Sequence, residues 1–204
     1  MMLGTPKFHQ MDGNIERLTP RIRDACRYPR LKSGSGTVLM IDAGYFIQRE
    51  CADGFEQNDW QVIPLRLKPL NTFIERFLMT VVVNKPDILF TVNHLGFDTA
   101  GVLTRMLEEM EMPFISWFVD SPEFILLDHK LNSSSMAVVP VWERSYLTFL
   151  KRFGFNNCFH LPLASNPKVF KKNYKTINYK YKTTFVGDSM VNSSAEWRKR
   201  CGMH

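Results

Sequence analysis

The chain has 204 residues, 45% of them hydrophobic and 23% charged, which allows one full domain plus a fragment and excludes a largely disordered chain. The formal net charge of +6 sits in the flanks. Residues 1–35 carry seven Lys/Arg against three Asp/Glu and residues 168–204 nine against two, whereas residues 36–167 carry ten against fifteen. A basic surface for nucleic acid is therefore not expected, because the stretch that reads as folded is acidic and basic flanks are usually solvated faces or tails.

The longest apolar stretches, 77–83 and 114–119, fall far short of the roughly 18 residues that cross a bilayer, so no membrane span is expected. Residues 1–30 are dotted with Arg and lack the apolar core of a secretory signal, which makes the cytoplasm the expected compartment. Cys26, Cys51, Cys158 and Cys201 form no CxxC pair, and no histidine stands at ligand spacing from any of them. Reduced thiols are expected, with no metal and no disulfide framework.

Residues 1–36 show no steady period and end in Lys32-Ser33-Gly34-Ser35-Gly36, which reads as an irregular or helical extension and a loop. Thr37–Ile41 is then a continuous apolar run ending at Asp42-Ala43-Gly44. A run without polar alternation predicts a strand buried on both faces, the habit of parallel sheets covered by helices. Similar runs follow at Gln61–Leu67, Asp87–Val92, Phe114–Val119, Met136–Trp142 and Asn157–Leu163.

Helical periods lie between them: Phe73, Phe77, Leu78 and Val81 in 72–84; Val102, Leu103, Met106, Leu107 and Met110 in 99–112; Tyr146, Leu147, Leu150 and Phe153 in 143–153, with Gly154 as the stop. Strands alternating with such helices predict an α/β, doubly wound, mostly parallel Rossmann-like sheet over residues 37–166. Residues 167–182 are basic and aperiodic and read as a linker. Residues 183–204 begin a further strand and, at Ser193-Ser194-Ala195-Glu196, carry the spacing of a capping box. They read as the truncated start of a second domain.

Ligands of doubly wound sheets sit at the carboxyl ends of the strands. Residues there are Asp42, Gly44 and Tyr45; Asn93, His94, Gly96 and Asp98; and Asp120 and Ser121. Gly44 is either a turn residue or a place where backbone approaches an anion. His94 is either a general base at an exposed strand tip or a hydrogen-bonded loop histidine. Asp120, before Pro122, either faces a hydroxyl-bearing acceptor or forms an Asx turn. Asp98 reads as the cap of the helix that follows, and His129 and His160 are weaker candidates, His160 reading as structural because it lies in a strand-like run. No G-x-G-x-x-G or P-loop pattern occurs, which counts against a dedicated dinucleotide or nucleoside triphosphate site.

Three segments in order, FISWFVDSP at 114–122, NCFHLPLASNPKVF at 157–170 and TFVG at 184–187, resemble the CgeB-like spore-maturation glycosyltransferases, relatives of the GT-B enzymes. The likeness covers roughly residues 37–190. It implies two Rossmann-like domains facing across a cleft, acceptor contacts mainly from the first, donor contacts mainly from the second, and neither cofactor nor metal. The partners it implies are a nucleotide-sugar and a hydroxyl acceptor, a polysaccharide, glycan or protein.

On that resemblance Gly44, Tyr45, Asn93, Gly96 and Ser121 would face the acceptor. His94 or Asp120, ahead of Asp42, would supply the base, and Gly187, Asp188 and Ser189 would form the first donor loop. A chain lacking most of the donor domain is expected to be inactive in transfer. The competing expectation is a non-catalytic Rossmann-like binding or interaction module.

Overall fold

The computed structural model describes residues 18–31, 35–44, 47–129, 132–167 and 183. The described residues up to Ala164 form one compact unit, and residues 165–167 and 183 belong to a second. The expected linker and second-domain start lie outside the described residues except for Pro167 and Thr183, as do residues 1–17 of the extension.

Six strands form one sheet: β1 (Thr37–Asp42), β2 (Gln61–Arg66), β3 (Ile88–Val92), β4 (Phe114–Trp117), β5 (Ala137–Val141) and β6 (Cys158–His160), in the order β2-β1-β3-β4-β5-β6. Every pair is parallel. The fold is α/β, doubly wound and Rossmann-like. All five residues of β3 are buried, as expected of a central strand covered on both faces. β2 lies at the edge, where Pro64 opposite Met40 can be tolerated because an edge strand has one side of its ladder free.

The helices are α1 (Pro20–Cys26), α2 (Gln48–Glu56), α3 (Phe73–Asn84), α4 (Val102–Glu109), α5 (Pro122–Ile125) and α6 (Leu147–Phe153). From β1 the chain winds through α2 to β2, then reverses through α3 to β3 and continues through α4. Right-handed crossovers therefore put α2 on one face and α3, α4 and α6 on the other. The packing agrees. One core joins Phe73, Phe77, Leu103, Leu107 and Leu150 to Leu39, Phe114 and Val139. The smaller core joins Cys51, Ala52 and Phe55 of α2 to Val38, Met40, Phe90 and Val92. Burying each large apolar side chain contributes roughly 1.5–3 kcal/mol.

Residues 18–31 dock on the domain. The Thr19 side chain caps α1 through the amide of Ile22, the Tyr28 hydroxyl donates to the Pro86 carbonyl at 2.6 Å, and the Asp87 carboxylate accepts the amides of Leu31 and Thr37 at 2.8 and 2.7 Å. Arg27 pairs with Glu111, and the Arg30 guanidinium lies 4.1 Å above the Tyr28 ring. Part of the basic flank is thus committed inside the fold.

The strand runs and the three predicted helical periods are present, with trimmed ends. α4 occupies only 102–109, and α6 opens with a 3₁₀ turn at Arg144–Tyr146. α6 stops at Gly154, whose φ of +117° and Cβ clearance of 2.9 Å to Ser133 admit no side chain without strain. α2 is an addition to the predicted elements. The route from β4 to β5 has one helical turn, α5, and then buries Leu126, His129, Asn132 and Ser134. Among the described residues no helix is long and apolar enough to cross a membrane.

Candidate functional site

A parallel sheet brings all its strand ends to one rim. There Asp42 closes β1, Asn93 follows β3 and Asp120 follows β4, on three adjacent strands. The chain reverses its winding between β1 and β3, the place where such sheets open a crevice.

Asn93 is the anchor of this rim. Its backbone is left-handed (φ +52°), a conformation that Asn tolerates better than most residues, and it is 8% exposed. Its Oδ1 accepts the amides of Val119 and Asp120 at 2.9 and 3.2 Å, and its Nδ2 donates to Asp120 Oδ2 at 2.7 Å. Its own amide donates to the Trp117 carbonyl at 2.9 Å. One buried amide therefore ties the end of β3 to the end of β4 and holds a solvent-exposed carboxylate. These contacts make Asn93 a positioning residue rather than an acceptor contact. Ser121 is half-buried and starts α5 without a side-chain cap bond.

His94 is not at an exposed tip. It too is left-handed (φ +58°), and this turns the ring under the rim, where it is 2% exposed. The ring stacks on Phe97 at 4.1 Å between centroids and meets Phe118 at 6.0 Å, and its Nδ1 lies 3.0 Å from Ser116 Oγ. Burial, and secondarily the neighbouring His129, lower its pKa well below the ordinary imidazole value. A neutral ring enclosed by phenylalanines has no path to a substrate hydroxyl, so the expectation of an exposed base at His94 is corrected.

Asp42 is half-buried, and its Oδ1 accepts the Gly44 amide at 3.0 Å. Gly44 is exposed with φ +72° and open space around it, so this loop is an Asx-type turn with an accessible glycine. Tyr45 lies outside the described residues, as do Gly187, Asp188 and Ser189. Gly96 is a packing residue. At φ +89° a Cβ would stand 2.8 Å from Ile41 Cδ1. Asp98 caps α4, its carboxylate accepting the amides of Val102 and Leu103 at 3.0 Å each.

Sequence reasoning passed over Gln48. Buried at the start of α2, it donates from Nε2 to the Ile41 carbonyl at 2.5 Å and accepts the Ala43 amide at 3.1 Å, fixing the loop that carries Asp42. An open groove of 730 Å³ runs from Asp42 past Leu65, Arg66 and Thr72 to Glu75 and Arg76. It lies on the β2 side of Asp42, and Asp120 does not line it. The Arg76 guanidinium is committed to the carbonyls of Arg66, Leu67 and Pro69, so it shapes this groove rather than serving as a ready anion clamp. Among the described residues no three His, Cys, Asp or Glu side chains converge as a metal site.

Comparison with protein families gives no match, and comparison with curated proteins gives none either. Among solved structures, the chain has a partial likeness to the pyridoxal-5'-phosphate dependent protein YhfS from Escherichia coli. The TM-score is 0.30 and the identity 18%, over 47% of this chain and 25% of that one. The chain thus spans about a quarter of that protein, and a likeness of this size has no bearing on its chemistry.

Proposed function

We propose that the chain is the acceptor-side part of a GT-B-type glycosyltransferase related to the CgeB-like enzymes, with Asp120 as the base. The observation that carries this reading is the Asn93–Asp120 bond of 2.7 Å. It orients an exposed carboxylate at the carboxyl edge of a parallel sheet, where ligands of such folds bind. The ordered resemblance of 114–122, 157–170 and 184–187 supplies the reaction class.

In this reading Asp120 takes the proton of an acceptor hydroxyl as its oxygen bonds to the anomeric carbon of the donor sugar. The bond from that carbon to the nucleoside diphosphate breaks, and the diphosphate leaves with the electron pair. Asp42 and the accessible backbone at Gly44 lie two strands away, across β3, and serve the acceptor. The donor contacts implied for Gly187, Asp188 and Ser189 belong to the same proposal, as does a cytoplasmic location.

The test is sugar transfer from a panel of nucleotide-sugars by the native gene product, comparing wild type with Asp120→Asn. Loss of turnover with donor binding retained supports the assignment, and unchanged turnover refutes it. One observation favours the second reading, a non-catalytic interaction module. Phe159, Leu161 and Leu163 are 47%, 41% and 48% exposed along and after the edge strand β6, a row of apolar side chains that a partner would cover.

A further inference from the structure

A buried polar cluster lies beneath the rim. His94, Asp98, Thr104, Ser116, His129 and Asn132 are each at most 5% exposed. The cluster ties the β4–β5 connection, through His129 and Asn132, to the start of α4.

Its hydrogen bonds fix the state of His129. The Asp98 backbone carbonyl can only accept, so the atom of Asn132 that faces it at 2.8 Å is the amide nitrogen. The Thr104 hydroxyl donates to the opposite atom, Oδ1, at 2.6 Å. The same Asn132 nitrogen stands 2.8 Å from His129 Nδ1, so Nδ1 must accept and the ring proton resides on Nε2. Protonating Nδ1 would set an N–H against an NH₂, donor against donor. The His94 ring stands edge to face with His129 at 5.6 Å between centroids, and its Nε2 is buried without a hydrogen-bond partner. A proton on His94 would therefore bury an unpaired cation.

We infer that the His94–His129–Asn132 cluster is an acid-sensitive latch, closed while both imidazoles are neutral and released when either takes up a proton, freeing the β4–β5 connection from the start of α4. The depressed pKa of His94 accords with this geometry. Among the described residues, the groups around His94 offer a cation little. Asp98, in the β3–α4 loop, spends its carboxylate on the amides of α4. α4 presents Thr104, β4 presents Ser116, Phe118 follows β4, and Phe155, after α6, meets His94 at 6.1 Å. Asp128, beside His129 in the chain, is exposed.

The test is amide hydrogen exchange of the whole chain between pH 7.5 and 5.0, corrected for intrinsic rates. The reporters are the amides of His129 and Asn132, bonded to the carbonyls of Leu126 and His129, and those of Val102 and Leu103. Their protection is expected to fall by about tenfold per pH unit for each proton taken up below about 6.5, while Leu39 and Leu89 in β1 and β3 stay protected. Constant protection, or loss only together with β1 and β3 at the global unfolding limit, would overturn the latch. His129→Gln, whose amide oxygen can accept from Asn132 without titrating, should reduce the response to the part carried by His94, and a response undiminished in that variant would also count against it. Should the variant not fold, the ring signals of wild-type His94 and His129 decide. The latch requires the reporter amides to open as either ring charges. A ring that charges while they stay protected overturns it.

Discussion

Replacing Asn93 by alanine tests the rim where it is most tightly specified. The substitution removes the acceptor of the Val119 and Asp120 amides and the donor to Asp120. Val119 is 7% exposed, so its stranded amide costs about 1–3 kcal/mol. Alanine held at the left-handed φ of +52° costs roughly a further 1 kcal/mol. Together these give a loss of about 2–4 kcal/mol.

With an m-value of about 1–3 kcal/mol/M in urea, the unfolding midpoint should fall by about 0.7–4 M with m unchanged. Tryptophan fluorescence is a convenient probe because Trp117 adjoins the clamp. Asn93→Gly should recover the backbone portion only. Asn93→Asp keeps an acceptor for both amides but sets a carboxylate against that of Asp120, so it should be destabilising at neutral pH and recover as the pH falls into the carboxylate range. A midpoint for Asn93→Ala within about 0.2 M of wild type, less than a loss of about 0.6 kcal/mol at these slopes, would refute the clamp.

Gly96→Ala should cost about 1–3 kcal/mol by the same assay, because its Cβ would sit 2.8 Å from Ile41 Cδ1 at φ +89°. His94 makes stability depend on pH. Its folded pKa lies below the unfolded value of about 6.5, so the unfolded chain binds more protons in that window. Its contribution is complete above about 6.5 and is lost as the pH falls toward the folded value, by up to about 1.4 kcal/mol per pH unit. His94→Asn, which tolerates the left-handed backbone, should remove that slope, as thermal unfolding from pH 7.5 to 5 would reveal. The Cys51 thiol is pushed up to about 12, chiefly by burial. Mass spectrometry after alkylation at pH 8 should find it unmodified in the folded chain and modified in urea, whereas rapid native labelling would contradict the packing of α2.

Central elements were legible in the sequence because their burial is periodic. β3 reads as an apolar run broken only by Thr91 and is buried throughout, and the stripe of α4 reads off Leu103, Met106 and Leu107. α2 was not legible. Its sequence QRECADGFE packs half-buried Cys51, Ala52 and Phe55 on the sheet from one face, with Gln48 the buried residue, so its stripe is short, built of small residues and interrupted by a polar one. The rim was legible as a place, since residues after parallel strands must converge there. The direction of each side chain was not. Consecutive left-handed residues at Asn93 and His94 send the amide across to β4 and the imidazole down into the core, and a strand-end position alone does not encode that turn. His129 and Asn132 stand in a crossover with no period, so only their partners reveal them.

The most direct measurement of the central claim is transfer of a labelled sugar from nucleotide-sugar donors to hydroxyl acceptors by the native gene product, wild type beside Asp120→Asn. Removal of a positioned base typically costs about 10²–10⁴-fold. The account predicts a drop in kcat of that size for Asp120→Asn, with donor affinity and the unfolding midpoint preserved. Full turnover by Asp120→Asn, or a wild-type protein that transfers no sugar from any donor, would contradict it.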